Sequence, residues 1–372
     1  MRHLSLKPIL LVISLAMLGV AARSQDSLQH QPDIIAHPSG STTEFLPIIT
    51  YDTDVGFGYG AKIFGLNHFR RDESLDLVLF NSTKGVRWYR LVFSIPDFEL
   101  RQGKIYPWAI DLTIEYDKWN SNNFFGIGSS SRFEDKETYT QEAFNVSVAV
   151  SRGFSSLVVG QIGLRYRTIR NSDFSAESHF VLLRPDLNAA RVTVASLYAT
   201  FRYDARDSYI NPTQGLVLEG EAEFGPKTLP SNVAVSRLGM SVQTYTLLLP
   251  SKTVLAARVE IQGLLGNDIP VQMLLPIGGN TTVRGSVQDR YLDIVSALAN
   301  VELRFPLFWR FGGVVGFDAG KVWPKLSRFD FERWATNPTV GLRFYMDTFV
   351  VRLDMGFGKE TTGFYLNFGH LF

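Results

Sequence analysis

From Thr43 onward the chain alternates apolar and polar side chains with a period of two, segment after segment. Trp108, Ile110, Leu112, Ile114 and Tyr116 share one face of such a segment, and Asp111, Thr113, Glu115 and Asp117 share the other. Neighbouring side chains of a strand point to opposite sides of the sheet, so this spacing predicts a strand with an apolar face and a charged one. Leu255, Ala257, Val259 and Ile261 separate in the same way from Arg258, Glu260 and Gln262, as do Leu216, Leu218 and Phe224 from Glu219, Glu221 and Glu223.

Strands of a soluble sandwich alternate too, but they average about five or six residues. Segments of about ten residues or more, charged on the second face, suit strands that cross a bilayer obliquely. A sheet edge in hydrocarbon would leave backbone groups unpaired at several kcal/mol each, so such a sheet must close on itself. The expected fold is therefore all-β, a transmembrane antiparallel β-barrel. The pattern places strands near 43–52, 55–67, 74–84, 86–96, 106–118, 138–152, 156–170, 191–204, 215–225, 232–248, 252–266, 295–306, 311–323, 338–347, 349–358 and 363–372, about sixteen in all. Long polar links near 119–137, 171–190, 267–294 and 324–337 follow odd-numbered strands, which gathers the long loops at one end. With both termini periplasmic, that end is extracellular. The link at 205–214 is a fairly long exception on the periplasmic side.

Ahead of the barrel, Arg2, His3 and Lys7 precede an apolar run from Ile9 to Val20, followed by Ala22-Arg23-Ser24. Residues 1–24 read as a signal peptide, since a dozen apolar residues fall short of the roughly 20 that span a bilayer as a helix. Residues 25–42, polar and containing Pro32, Pro38 and Gly40, read as a short periplasmic lead-in, and residues 43–372 as the barrel. Cysteine is absent, which removes disulfides, thiolate metal sites and a lipid anchor on cysteine. A formal charge of +1 without a basic cluster argues against nucleic acid as a partner.

One stretch stands out from this alternation. In Ile277-Gly278-Gly279-Asn280-Thr281-Thr282-Val283-Arg284-Gly285, glycines flank Arg284 on both sides. Alone, it fits either an exposed flexible loop or a tight turn that aims one guanidinium. Alternation along 311–323 puts Asp318 on the inward face with Gly312, Gly316 and Gly320, where a carboxylate has room for an arriving arginine. The last segment sets Phe364, Leu366, Phe368 and Phe372 on one face, toward lipid, with Asn367 and Gly369 inward.

Several stretches together resemble the bacterial surface antigen family, the BamA/TamA superfamily of outer-membrane barrels, over most of residues 43–372. Pro47-Ile48-Ile49-Thr50-Tyr51-Asp52 leading into Gly56-Phe57-Gly58 is similar to its opening hairpin, and Phe124-Phe125-Gly126-Ile127-Gly128 to an extracellular aromatic-glycine turn. Tyr203-Asp204-Ala205-Arg206-Asp207 with Pro212 and Gly215 is similar to a periplasmic turn of that family. Val283-Arg284-Gly285 resembles its most diagnostic motif, with Glu302-Leu303-Arg304-Phe305-Pro306 following on the next strand.

The resemblance implies that the Arg284 loop folds into the lumen and pairs with Asp318, so that Val283, Arg284, Gly285, Asp318 and Gly320 act as a loop latch. It also implies that a C-terminal strand ending on Phe372 is a sorting signal for the outer-membrane assembly machinery. Two positions depart from the family pattern: Gly316 and Ser286 stand where it usually has aromatics. Residues 25–43 are too few for even one POTRA domain, so a barrel-only member is expected, in the bacterial outer membrane and in contact with its lipid.

The expected function is insertion, translocation or surface display of a polypeptide or lipid through a seam between the first and last strands, with a periplasmic or surface polypeptide as partner. A passive or gated pore is the alternative, motivated by the charged inward faces. An outer-membrane lipid enzyme is a third class. For it, the six histidines form no metal spacing and no nucleophile elbow or phosphate loop occurs, so neither catalytic residues nor a cofactor is expected. Glu219, Glu221 and Glu223 are expected to pair with inward arginines such as Arg165, Arg167, Arg258, Arg304 and Arg343.

Overall fold

The computed structural model describes residues 40–372 apart from 176, 184–190, 229, 250–251 and 348; the expected signal peptide and most of the lead-in lie outside them. Sixteen strands form a closed antiparallel barrel. In chain order the strands are β1 (Thr42–Asp52), β2 (Gly56–Leu66), β3 (Ser74–Ser82), β4 (Arg87–Ile95), β5 (Tyr106–Phe124), β6 (Glu137–Gly153), β7 (Val158–Ser172), β8 (Val192–Asp204), β9 (Gly215–Phe224), β10 (Ser236–Leu248) and β11 (Thr253–Leu265). Two short strands, β12 (Leu275–Ile277) and β13 (Tyr291–Asp293), pair with each other inside the next link and stand apart from the wall. The wall resumes with β14 (Val295–Phe308), β15 (Phe311–Trp323), β16 (Ala335–Tyr345), β17 (Val350–Phe357) and β18 (Thr362–Phe368).

The alternation sorts as the sequence predicts. Trp108 and Ile110 are 64% and 51% exposed on the outer face, while Asp111 turns inward onto Arg101 and Arg165 onto Glu223. Apolar area that would be costly in water is thus presented to lipid, and the charges meet in the lumen.

Several boundaries move. The link expected at 119–137 is shortened at its start: β5 runs on to Phe124 and β6 begins at Glu137, paired through Asn123–Thr138 with a bulge between Trp119 and Asn122. The stretch Asn120–Asn123 is polar, yet Asn122 and Asn123 pair with Tyr139 and Thr138, and Asn122 is buried against the Tyr139 hydroxyl. The last strand stops at Phe368, where Gly369 takes φ +80°. Phe372 therefore does not join Phe364, Leu366 and Phe368 on the lipid face. Its ring lies 5.1 Å from the Arg304 guanidinium and 5.3 Å from that of Arg258, and its carbonyl accepts from Arg304 at 3.1 Å. Cations inside the lumen outbid the lipid for this aromatic.

At the long-loop end, Phe124, Tyr139, Phe174, Phe180, Val271 and Leu292 pack into an apolar dome. It includes a short helix in the β7–β8 loop (His179–Leu183), whose first amide donates to Glu137 at 2.9 Å. At the opposite end a four-residue helix, α1 (Phe98–Arg101), interrupts the β4–β5 link.

Candidate functional site: the glycine-rich loop and the strand seam

The loop between β11 and β14 turns on Gly278, Gly279 and Gly285, with φ of +126°, +89° and +89°, values that cost a side-chain-bearing residue of L configuration. Thr282 closes the turn by accepting from the Gly278 amide at 2.9 Å and donating to the Gly278 carbonyl at 2.8 Å. Close approach matters as much as dihedral freedom. A Cβ on Gly285 would lie 2.6 Å from the Gly356 carbonyl carbon, and one on Gly356 would lie 2.4 Å from that of Arg284, so loop and β17 touch backbone to backbone. A Cβ on Gly320 would meet Ile277 and Val283 side chains at 2.8 Å. Val283 fills that space, buried with Ile277, Leu298 and Val322.

Arg284 is fully buried. Its Nε and Nη2 donate to the two oxygens of Asp318 at 2.8 and 2.9 Å, and its backbone amide adds a third bond to the same carboxylate at 3.0 Å. Nη1 donates to Glu302 at 2.8 Å and to Asp354 at 2.7 Å. Burial opposes a charged guanidinium, but Asp318 and Glu302 outweigh it and hold Arg284 firmly protonated. The acids are themselves shared: Arg304 donates to Glu302 at 2.8 Å and Arg343 to Asp354 at 2.5 Å. Neutral amides complete the clamp. Asn300 links Asp318 to the Thr282 carbonyl at 2.8 and 2.7 Å, and Asn337 donates to the Arg284 carbonyl at 2.9 Å.

The structure thus places Val283, Arg284, Gly285, Asp318 and Gly320 side by side. Sequence reasoning missed Glu302, Asp354, Asn300 and Asn337; their inward parity was readable, but their distance from the loop was not. It also misassigned three arginines. Arg165, Arg167 and Arg202 meet Glu221, Glu223 and Glu219, whereas Arg304 and Arg343 stand on β14 and β16, away from β9, and serve the loop together with Arg258, which turns to Asn300 and the Thr281 carbonyl. The two departures from the family pattern have a local reason. A Cβ on Gly316 would stand 2.6 Å from the Thr339 hydroxyl, leaving no room for a ring, and Ser286 accepts from Asn337 at 3.0 Å. An aromatic reaches the loop from elsewhere: the Gly285 amide donates to the Tyr365 hydroxyl of β18 at 2.9 Å.

The far side of the loop lies across the junction of first and last strands. β1 pairs with β2 along all eleven residues but with β18 at Tyr51–Leu366 and Asp52–Tyr365 alone among the described residues. Thr53 extends that contact by exchanging hydrogen bonds with Phe364. On the β1 side, the Gln288 amide donates to Asp54 at 3.0 Å. On the β18 side, Arg290 grips Glu360 at 2.6 and 2.7 Å, and Thr361 donates to the Gly285 carbonyl at 2.7 Å. Burial, reinforced by Asp52, raises the Asp54 carboxyl to about 6, and burial raises Asp289 to about 6 as well. Among the described residues no group of His, Asp and Glu has metal-binding geometry.

A closed sixteen-stranded barrel with an apolar exterior, a charged lumen and long loops at one end is the architecture of an outer-membrane protein. The Omp85 superfamily domain matches residues 79–372, more than half of the chain, and the chain belongs to that superfamily, whose barrels are assembly factors and transporters. No curated protein matches the sequence. Among solved structures it is similar to BamA from Haemophilus ducreyi lacking POTRA domains 1–3, at 16% identity and a TM-score of 0.65, over 90% of this chain and 70% of that one. It is also similar to CdiB from Acinetobacter baumannii (15% identity, TM-score 0.54, 89% of this chain and 60% of that one) and to CdiB from Escherichia coli (12%, 0.62, 89% and 63%). At such identities the likeness is one of fold, and the chain spans less than two thirds of either CdiB.

Proposed function

We propose that this barrel works at its seam, receiving a polypeptide or a lipid at the β1 edge for insertion, translocation or display, with the Arg284 loop as a latch that holds the seam strands in place. The observation that carries the reading is the short pairing of β1 with β18. Below Tyr51, the β1 backbone from Thr42 to Thr50 has a partner on the β2 side only, among the described residues. Phe45, Leu46 and Ile49 in that stretch are 66%, 43% and 54% exposed. Unpaired backbone at membrane depth is costly, and an added strand would satisfy it while seating alternate side chains. Pro47 falls in the same stretch, and a proline within a strand belongs at an edge.

In this reading the partner is a periplasmic or surface polypeptide, the surrounding lipid supports the outer face, and the outer-membrane assembly machinery acts on this chain during its own biogenesis. The chemistry asked of the protein is binding and release, with no catalytic group. The test is photo-crosslinking in cells from single positions along Thr43–Ile49. Adducts to a polypeptide at every second position support strand addition, and an edge that yields no adduct beyond β18 contradicts it.

A further inference from the structure

The periplasmic mouth holds another buried arginine, which the seam reading does not use. Arg101 ends α1, is 6% exposed, and forks onto Asp111 of β5 with bonds of 3.0 and 2.6 Å. It also donates to Ser151 of β6 at 3.1 Å, and the Phe98 and Tyr106 rings lie 5.6 and 5.7 Å from its guanidinium. A two-bond charged anchor of this kind fixes the β4–β5 link against the inner wall instead of letting it hang free.

From there, contacts run across the mouth. The Gly103 amide lies beside the Tyr209 hydroxyl of the β8–β9 link. That link is stiff: Asp207 accepts from the Thr213 and Gln214 amides at 2.9 and 3.1 Å, and Arg206 forks onto Asp204 at 3.0 and 2.8 Å. Two residues on, Asn211 meets His370 at 3.0 Å. Burial and the nearby Arg304 and Arg343 hold that imidazole neutral. Phe372 then reaches Arg304 on the far wall. Above this line lies a lumen cavity of about 390 Å³, whose lining runs from Arg101 and Asp111 to Glu221, Glu260 and Gln262.

We propose that Asp97–Lys104, Arg206–Gln214 and His370–Phe372 form a periplasmic floor that gates the lumen to ions and small hydrophilic solutes. The ends of the floor are fixed by charged, buried pairs at Arg101 and Arg304. Its middle is joined by the approach of Gly103 to Tyr209 and by a single uncharged hydrogen bond at Asn211, which is weaker than a charge-assisted one. Opening therefore occurs between Tyr209 and His370, while the Arg101 anchor stays in place.

The test is conductance of the purified full-length protein in planar lipid bilayers. Tyr209→Phe combined with Asn211→Ala removes both middle contacts and should raise the open fraction on the order of tenfold. In Asn211→Cys/His370→Cys, the only cysteines of the chain, a short bifunctional maleimide should bring conductance below that of the unlinked protein. The increase should persist when the seam is locked by a disulfide at positions 51 and 366, which separates this gate from the seam. Heat-modifiable gel mobility shows that each variant is folded. Folded variants whose conductance matches the parent, linked or unlinked, overturn the floor as a gate.

Discussion

Arg284 sits where a charge is hardest to keep, with no exposure to water and three carboxylates within hydrogen-bonding distance. Such a cluster says little about net stability, because desolvation offsets much of the attraction, but removing one member strands the others. Among the described residues Asp318 has Arg284 as its one ion-pair partner. Arg284→Ala is expected to weaken loop docking by about 3–5 kcal/mol, seen as new protease cleavage within 278–290 while the barrel stays folded. Arg284→Lys keeps the charge without the fork, so it should fall between the two. The same loop carries a pH dependence. Asp54 and Asp289 have folded values near 6, above their ordinary 3.8, so the docked loop binds more protons than the free one. Docking is then favoured at low pH and lost progressively as pH rises through about 6. Protease protection of the loop at pH 5.5 and pH 7.5 checks the sign, and Asp54→Asn with Asp289→Asn should flatten the difference. At this scale the sequence showed half of the site. Asp318 was legible because glycines at 312, 316 and 320 mark a bare inward face. Glu302 and Asp354 also face inward, yet alternation cannot say which inward charges share one level of a barrel wall.

Whole elements were more legible than their ends. Period-two alternation located all sixteen wall strands because lipid on one side and water on the other impose it on every strand. It failed where neither solvent applies: at Asn122 and Asn123, paired beside the dome, and after Phe368, where the chain turns into the lumen. The short strands β12 and β13 escaped as well, being three residues each. The contact of loop with β17 is a property of the strand as a unit, since Gly356 has no room for a Cβ although its backbone is ordinary strand. Gly356→Ala should undock the loop without unfolding β17, giving loop cleavage with heat-modifiable mobility retained. Phe372→Ala should remove packing on Arg304 and Arg258, lowering stability to urea by about 1–3 kcal/mol.

As a whole, the molecule is closed above by the dome and the glycine-rich loop, crossed below by three periplasmic segments, and weakest at its side. The loop touches both strands of that weak side, through Asp54 next to β1 and through Glu360, Thr361 and Tyr365 at β18. In the proposed reading, a loop that binds across the least-paired junction of the barrel holds that junction until a polypeptide or lipid competes for the β1 edge. The most direct measurement compares two cysteine pairs on one face of the seam, in a chain that has no other cysteine. Tyr51→Cys/Leu366→Cys lies in the paired register, and Ile49→Cys/Phe368→Cys lies two residues further along the same register toward the periplasm. Under mild oxidation in intact cells, the upper pair is predicted to close rapidly and the lower pair slowly or not at all. Equal, rapid closure of both would mean that the seam is zipped along its length, and the account of a side-opening barrel would be wrong.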